Sequence, residues 1–194
     1  MGCDPLASAY EERTILLGVT GGIAAYKVAG LASTWTQYGA QVRVLMTPAA
    51  TRFVTPLTFQ SVTRQPVVTD IWQAPEVTEH RPEHVDAGLA GDVFVVAPAS
   101  ADFLARAAHG FGDDIVNLSL LAYTGPVVVA PAMNDKMWAH PAVQANVALL
   151  RERGIRFVEP AVGHLACGSH GAGRLALEND IEEAVADVLR TVSS

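Results

Sequence analysis

Lysine is almost missing from this 194-residue chain: Lys27 and Lys136 stand alone against eleven arginines. Arginine codons are mostly GC-rich and lysine codons AT-rich, so the imbalance points to a GC-rich bacterial gene. Basic charge is short as a whole, with 13 basic against 20 acidic residues and a net charge of -7. That argues against a nucleic-acid binder held by a basic face. Cysteine is also scarce. Cys3 and Cys167 cannot build a disulfide scaffold, and a reducing, cytoplasmic setting fits them better. Long apolar runs are absent as well. Val93 to Ala99 and Val127 to Ala132 fall far short of the ~20 residues of a membrane span. The opening MGCDPLASAYEER has no basic flank leading into an apolar stretch. Gly2 invites myristoylation, but Leu6 stands where that pattern wants Ser or Thr. Residues 1–13 are therefore expected to form a flexible tail.

What is present is an apolar chain, 50% hydrophobic and 17% charged, long enough for one well-filled core. Apolar runs alternate with helical patterns. Thr14 to Val19, Gln41 to Met46, Asp92 to Ala97, Pro126 to Ala130 and Ile155 to Val158 read as strands. Ala24 to Tyr38 reads as a helix, with Ala25, Val28, Ala29, Ala32 and Trp35 spaced for one face. Phe53 to Val62 has a helical pattern broken by Pro56, and Asp102 to Ala122 reads as one long helix. Helices are also expected over Pro141 to Arg153 and Asn179 to Val192. Ile71 to Val85 reads as an irregular excursion. This alternation predicts a single α/β domain over 14–194. Its open parallel sheet carries helices on both faces, Rossmann-like in the broad sense that includes flavodoxin-like folds.

Ligands of such sheets sit at the carboxyl ends of the strands. Those ends read TGG, MTPAATRF, APASAD and APAMN, each a small-residue or polar loop after a buried run. Gly21 and Gly22 let backbone N–H groups approach a phosphate or an aromatic ring, or simply make a tight strand-to-helix turn. The run is not GxGxxG, and no acidic residue ends the second strand, so NAD is disfavoured. Thr20, Thr47 and Ser100 place hydroxyls at three strand ends, suited to a phosphate or to capping the following helices. His84 lies just before the third strand, either as a surface histidine or as an acid/base group. His164, Cys167 and His170 are three apart in HLACGSHGAGR. A closed zinc site needs four ligands, so this glycine-rich stretch reads as a mobile lid with a usable thiol and no metal. Asn134 offers a donor and an acceptor suited to a carboxylate. Asp113 and Asp114 read as a solvated face of the long helix.

These pieces together resemble the flavin-containing cysteine decarboxylases. That family includes phosphopantothenoylcysteine decarboxylase and the peptidyl-cysteine decarboxylases of lantibiotic maturation. The resemblance runs from about Thr14 to Val192 and rests on GGIAAYK, the histidine before the third strand, PASADF, PAMNxxMW and ACGxxGxGR. It implies FMN, contacted by Gly21, Gly22, Ile23, Thr47, Ser100, Ala101, Asp102 and Ala132. It makes His84 the catalytic base and Asn134 the contact for the substrate carboxylate, with Met137 lining the site. Cys167 becomes the proton donor on a lid loop over about 161–175. Asp102 departs from the family's asparagine, replacing a neutral amide by a carboxylate. The family also implies a homo-oligomer, a trimer or a trimer-based dodecamer, with FMN at subunit interfaces.

The implied chemistry explains the residue types. Oxidation at the carbon bearing sulfur gives a thioaldehyde β to the carboxylate, an electron sink for loss of CO2. FMN takes the hydride while the protein positions groups and moves protons. The product is an ene-thiol, which a peptidyl enzyme releases and the phosphopantothenoylcysteine enzyme reduces again. Cys167 favours the coenzyme A substrate. The short chain, without the fused synthetase usual in bacteria, tips the reading towards the C-terminal cysteine of a ribosomally made precursor peptide. A flavin prenyltransferase and a non-catalytic regulatory subunit are the more distant alternatives.

Overall fold

A computed structural model describes residues 6–72, 91–166, 168 and 170–192. The central sheet has six parallel strands: β1 (Thr14–Val19), β2 (Gln41–Met46), β3 (Val67–Val68), β4 (Val93–Ala99), β5 (Val127–Pro131) and β6 (Arg156–Phe157). Their order is β3-β2-β1-β4-β5-β6, the Rossmann order. The chain reverses direction across the sheet between β1 and β4, and the crevice outside that point is where such folds bind ligands.

Successive strand residues point to opposite faces, and both faces of this sheet are covered. Ile15, Leu17 and Val19 pack under α1 (Ala25–Gln37) and α7 (Glu178–Val192), beside Val28, Leu31, Trp35, Val185 and Leu189. Leu16, Phe94 and Val96 face the other way. They pack against α3 (Ala101–His109), α4 (Ile115–Ala122) and α6 (Pro141–Glu152) through Phe103, Leu104, Val116, Val147 and Leu150. All seven residues of β4 are buried, which is why that strand reads as an unbroken apolar run.

Several elements differ from expectation. Pro56 does not break a helix but opens one, α2 (Pro56–Thr63), because a proline lacks only an N–H that the first turn cannot use. The long helix expected over 102–122 is two. Gly110, at φ 73°, ends α3, and Asp114 caps α4 by accepting from the amides of Val116 and Asn117 at 2.9 and 3.0 Å. Asp113 and Asp114 thus lie between helices rather than on one. β3 is two residues long, too short to leave a pattern. On α1 the fully buried stripe takes Leu31, while Ala29 is only partly buried.

The tail expected over 1–13 is packed where it is described. Tyr10 is buried, its hydroxyl donates to the Glu182 carbonyl at 2.5 Å, and its ring stacks on Trp35. Burial raises the Tyr10 phenol well above its usual range. Among the described residues, no helix is long and apolar enough to cross a membrane.

Candidate active site

The ends of β1 and β4 are joined by one buried hydroxyl. Thr20 Oγ1 donates to the Pro98 carbonyl at 2.6 Å and accepts from the Ser100 amide at 2.9 Å. Ser100 Oγ in turn accepts from Phe103 N at 3.1 Å and so starts α3. Thr47 Oγ1 accepts from Ala50 N at 3.2 Å. Ser100 and Thr47 thus accept from amides at the start of the next helical turn, whereas Thr20 caps no helix and instead ties the β1 end to the β4 end.

Beside them lies a cavity of about 660 Å³, within the range of small-molecule sites. Of the residues that the resemblance assigns to FMN or substrate, Gly21, Gly22, Ile23, Ser100, Ala101, Ala132, Asn134 and Met137 line it. Gly21 is needed where it sits, because a Cβ there would lie 2.5 Å from Ala49 Cβ. A Cβ on Gly22 would meet nothing, which leaves an open cradle. The helix behind it, α1, has no side-chain cap and no acidic residue in its first turn, so its N–H groups favour an anion. A mainly apolar cavity beside a helix N-terminus that no side chain caps fits a flat, phosphorylated cofactor of the FMN kind.

The far wall is a hairpin where a loop was expected over 161–175. β7 (Ala161–His164) pairs antiparallel with β8 (His170–Arg174). The hairpin lies close on the loop that follows β5. Met133 N donates to the Gly173 carbonyl at 2.8 Å. Gly171 approaches Asp135 so closely that a Cβ would lie 2.8 Å from that side chain, and a Cβ on Gly173 would strike the Met133 carbonyl. Gly173 also holds φ at +143°, which side chains rarely tolerate. Gly171 and Gly173 of ACGxxGxGR are thus the contact face of the hairpin.

Asn134 caps the short helix α5 (Asp135–Trp138), its Oδ1 accepting from Lys136 N at 2.9 Å. The sequence reading gave no role to Tyr26, Lys27 and Arg174, which line the cavity too. Lys27 closes GGIAAYK and Arg174 closes ACGxxGxGR, so both lay inside motifs already singled out. The same two cations border a second cavity of about 360 Å³ with Leu177 and Glu178. No aspartate or glutamate is among the described residues of the first cavity's wall.

Thr47 and Asp102 are not on that wall. Asp102 Oδ2 accepts from Arg106 Nε at 2.8 Å, and Arg106 Nη1 reaches both Asp113 oxygens at 2.5 Å. The carboxylate at 102 is therefore paired with a cation on the surface rather than facing the cradle. Arg106 holds the Asp113 carboxyl below its usual range, and the two carboxylates raise Arg106 in return. His84 and Cys167 lie outside the described residues. No group of three or more metal-ligating side chains occurs among the described residues.

The Flavoprotein family model matches residues 5–190. The coenzyme A biosynthesis bifunctional protein CoaBC of Bacillus subtilis is 48% identical over 167 residues, 85% of this chain and 40% of its own length. CoaBC of Mycobacterium bovis is 45% identical over 170 residues, with 87% and 40% covered. The chain thus spans about 40% of the length of these curated relatives. Among solved structures, the FMN-dependent cysteine decarboxylase SpaF superposes with a TM-score of 0.81 at 34% identity, covering 96% of this chain and 99% of SpaF. A PPC decarboxylase mutant complexed with pantothenoylaminoethenethiol gives 0.80 at 30% identity, covering 90% and 97%.

Proposed function

The chain belongs to the Flavoprotein family, and on that premise we propose that it is an FMN-dependent cysteine decarboxylase acting on phosphopantothenoylcysteine. The observation that carries the choice of substrate is the cavity wall. It presents Asn134 for a carboxylate and the cations Lys27 and Arg174 for a second anion, with no acidic side chain among its described residues. A substrate with a carboxylate at one end and a phosphate at the other matches that distribution. The curated relatives at 43–48% identity are CoaBC proteins, which supports the same substrate. The sequence reading leaned towards a precursor peptide because the chain is short. These relatives favour the coenzyme A substrate instead, since the chain matches a part of longer proteins and its length does not discriminate. A cysteine-terminated peptide remains the second reading, since the chain also superposes along 96% of its length on SpaF, named as an FMN-dependent cysteine decarboxylase.

When bound, FMN accepts a hydride and can return it. Gly21 and Gly22 leave room for it against the backbone, and Ser100, Ala101 and Ala132 line the crevice around it. Asn134 orients the substrate carboxylate, with its Oδ1 fixed by the Lys136 amide. Met137 packs beside the substrate. His84, assigned by resemblance, takes the substrate proton, and Cys167 returns one to the product. Thr47 and Asp102 act at one remove, through the loops they cap or pair. Ile23 and Tyr26 line the cavity yet are 59% and 61% exposed. Such apolar exposure suits a homo-oligomer that completes the site across an interface.

The test compares phosphopantothenoylcysteine with its dephosphorylated form in the FMN-loaded protein. The proposal expects kcat/KM about tenfold or more higher with the phosphate, most of that preference disappearing in Lys27→Ala. Equal turnover of both forms, or turnover of a cysteine-terminated peptide alone, contradicts it. His84→Asn should keep FMN and lose CO2 release, and normal turnover there removes His84 from the mechanism.

A further inference from the structure

The hairpin that walls the cavity carries two histidines the decarboxylation does not use. His164 and His170 are paired directly across β7 and β8. Their ring centroids are 5.2 Å apart, with the planes at 87°. Both residues are exposed, and His164 lines the cavity together with Leu165 and Ala166.

That separation suits an edge-on ring contact and equally two imidazoles sharing one metal ion. Zn²⁺ binds an imidazole nitrogen at about 2.0 Å, and the ring centre lies about 1.1 Å further on. Two rings opening at about 109° then have centroids about 5 Å apart. Side chains directly opposite on an antiparallel pair start at about 5 Å between Cβ atoms, so no backbone movement is needed. The pairing itself is held from below, through Gly171 and Gly173 seated on the Met133–Asp135 segment. The donors are borderline nitrogen ligands, which suit Zn²⁺ over Mg²⁺ or Ca²⁺. With two protein ligands and an exposed rim, the remaining positions stay with water. Such a site is exchangeable rather than structural.

We propose that His164 and His170 form a two-imidazole Zn²⁺ site at the rim of the cavity, and that its occupation pins the hairpin and slows turnover. Zn²⁺ would cross-link the two strand ends that flank residues 165–169, next to the wall formed by Leu165 and Ala166. Passage of substrate and product past that wall would then be slower while the ion holds those strand ends together.

Binding is read first and without any substrate. The FMN-loaded full chain is titrated with Zn²⁺ against a chromophoric chelator. One Zn²⁺ per chain is expected, weakened about tenfold or more in both His164→Gln and His170→Gln. Decarboxylation by the parent protein should fall as Zn²⁺ is added and recover with EDTA. His170→Gln, which leaves the cavity wall intact, should keep its basal rate and ignore Zn²⁺. No stoichiometric binding, binding unchanged in both histidine variants, binding lost only in Cys167→Ser, or a His170→Gln enzyme as Zn²⁺-sensitive as the parent each overturns the proposal.

Discussion

The amide of Met133 donates a 2.8 Å hydrogen bond to the carbonyl of Gly173, so the hairpin is tied to the loop that carries Asn134. The last two motifs of the resemblance, PAMNxxMW and ACGxxGxGR, are therefore one structural unit. Glycine permits it twice over, by leaving no Cβ against Asp135 and Met133 and by accepting a φ of +143°.

Replacing Gly173 by alanine should therefore misplace the hairpin rather than only loosen it. The expected cost is about 2 kcal/mol or more in urea unfolding, from backbone strain plus overpacking. KM should rise by about tenfold or more while FMN stays bound. An unchanged KM with a normal melting curve would show that the hairpin is not seated as described.

Thr20→Val keeps the shape of a buried residue and removes its hydroxyl. The Ser100 amide loses its acceptor and the Pro98 carbonyl one donor. The loss should be about 1–3 kcal/mol of stability, with weaker FMN retention on gel filtration because Ser100 sits on the cavity wall. Thr20→Ser should restore both.

Asp102→Asn converts the departure from the family pattern back to its usual amide. Because the Asp102 carboxylate faces Arg106, FMN affinity should change less than twofold. Asp113 is the partner with a pH consequence. Arg106 depresses its carboxyl in the folded state, so its contribution is present above the ordinary carboxylate value of about 4 and is lost as pH falls through the lower folded value. Acid unfolding in Asp113→Asn should show a shallower loss of stability over that window. The difference should be small, since the pair is solvent-exposed.

At the alkaline end the sign reverses. Burial, aided by the Asp92 carboxylate, pushes Tyr123 up to about 12. The protonated phenol, which donates to the Gly91 carbonyl at 3.1 Å, is the form the fold favours. Its contribution is complete below the ordinary tyrosine value of about 10 and disappears as pH rises from there through 12. Tyr123→Phe should be less stable at neutral pH and lose less between pH 10 and 12, as measured by urea midpoints.

The sheet was legible because β1, β4 and β5 are buried on both faces and leave apolar runs, while β2 shows a β-rich run interrupted only by Arg43. The cavity was legible because its wall is built from strand-end loops, where Gly21, Ser100, Ala132 and Asn134 stand in contiguous motifs. The break between α3 and α4 carries its own signals, Gly110 as a stop and Asp114 as a cap, but the helical patterns on either side were read through them as one. The hairpin was missed because Gly163, Gly171 and Gly173 carry no hydrophobic alternation. Their signal is an absent side chain, which sequence reads as a loop. Lys27 and Arg174 were passed over because two cations 147 positions apart are brought to one wall only by the fold.

The most direct measurement is the mass of the product formed from phosphopantothenoylcysteine by the FMN-loaded protein. The account predicts a loss of about 44 mass units, CO2 alone, because the ene-thiol is reduced again before release. It also predicts a loss of about 46 in Cys167→Ser, where the reaction should stop at the oxidised product. No turnover of this substrate, or release of the product lighter by about 46 from the unsubstituted protein, would contradict it.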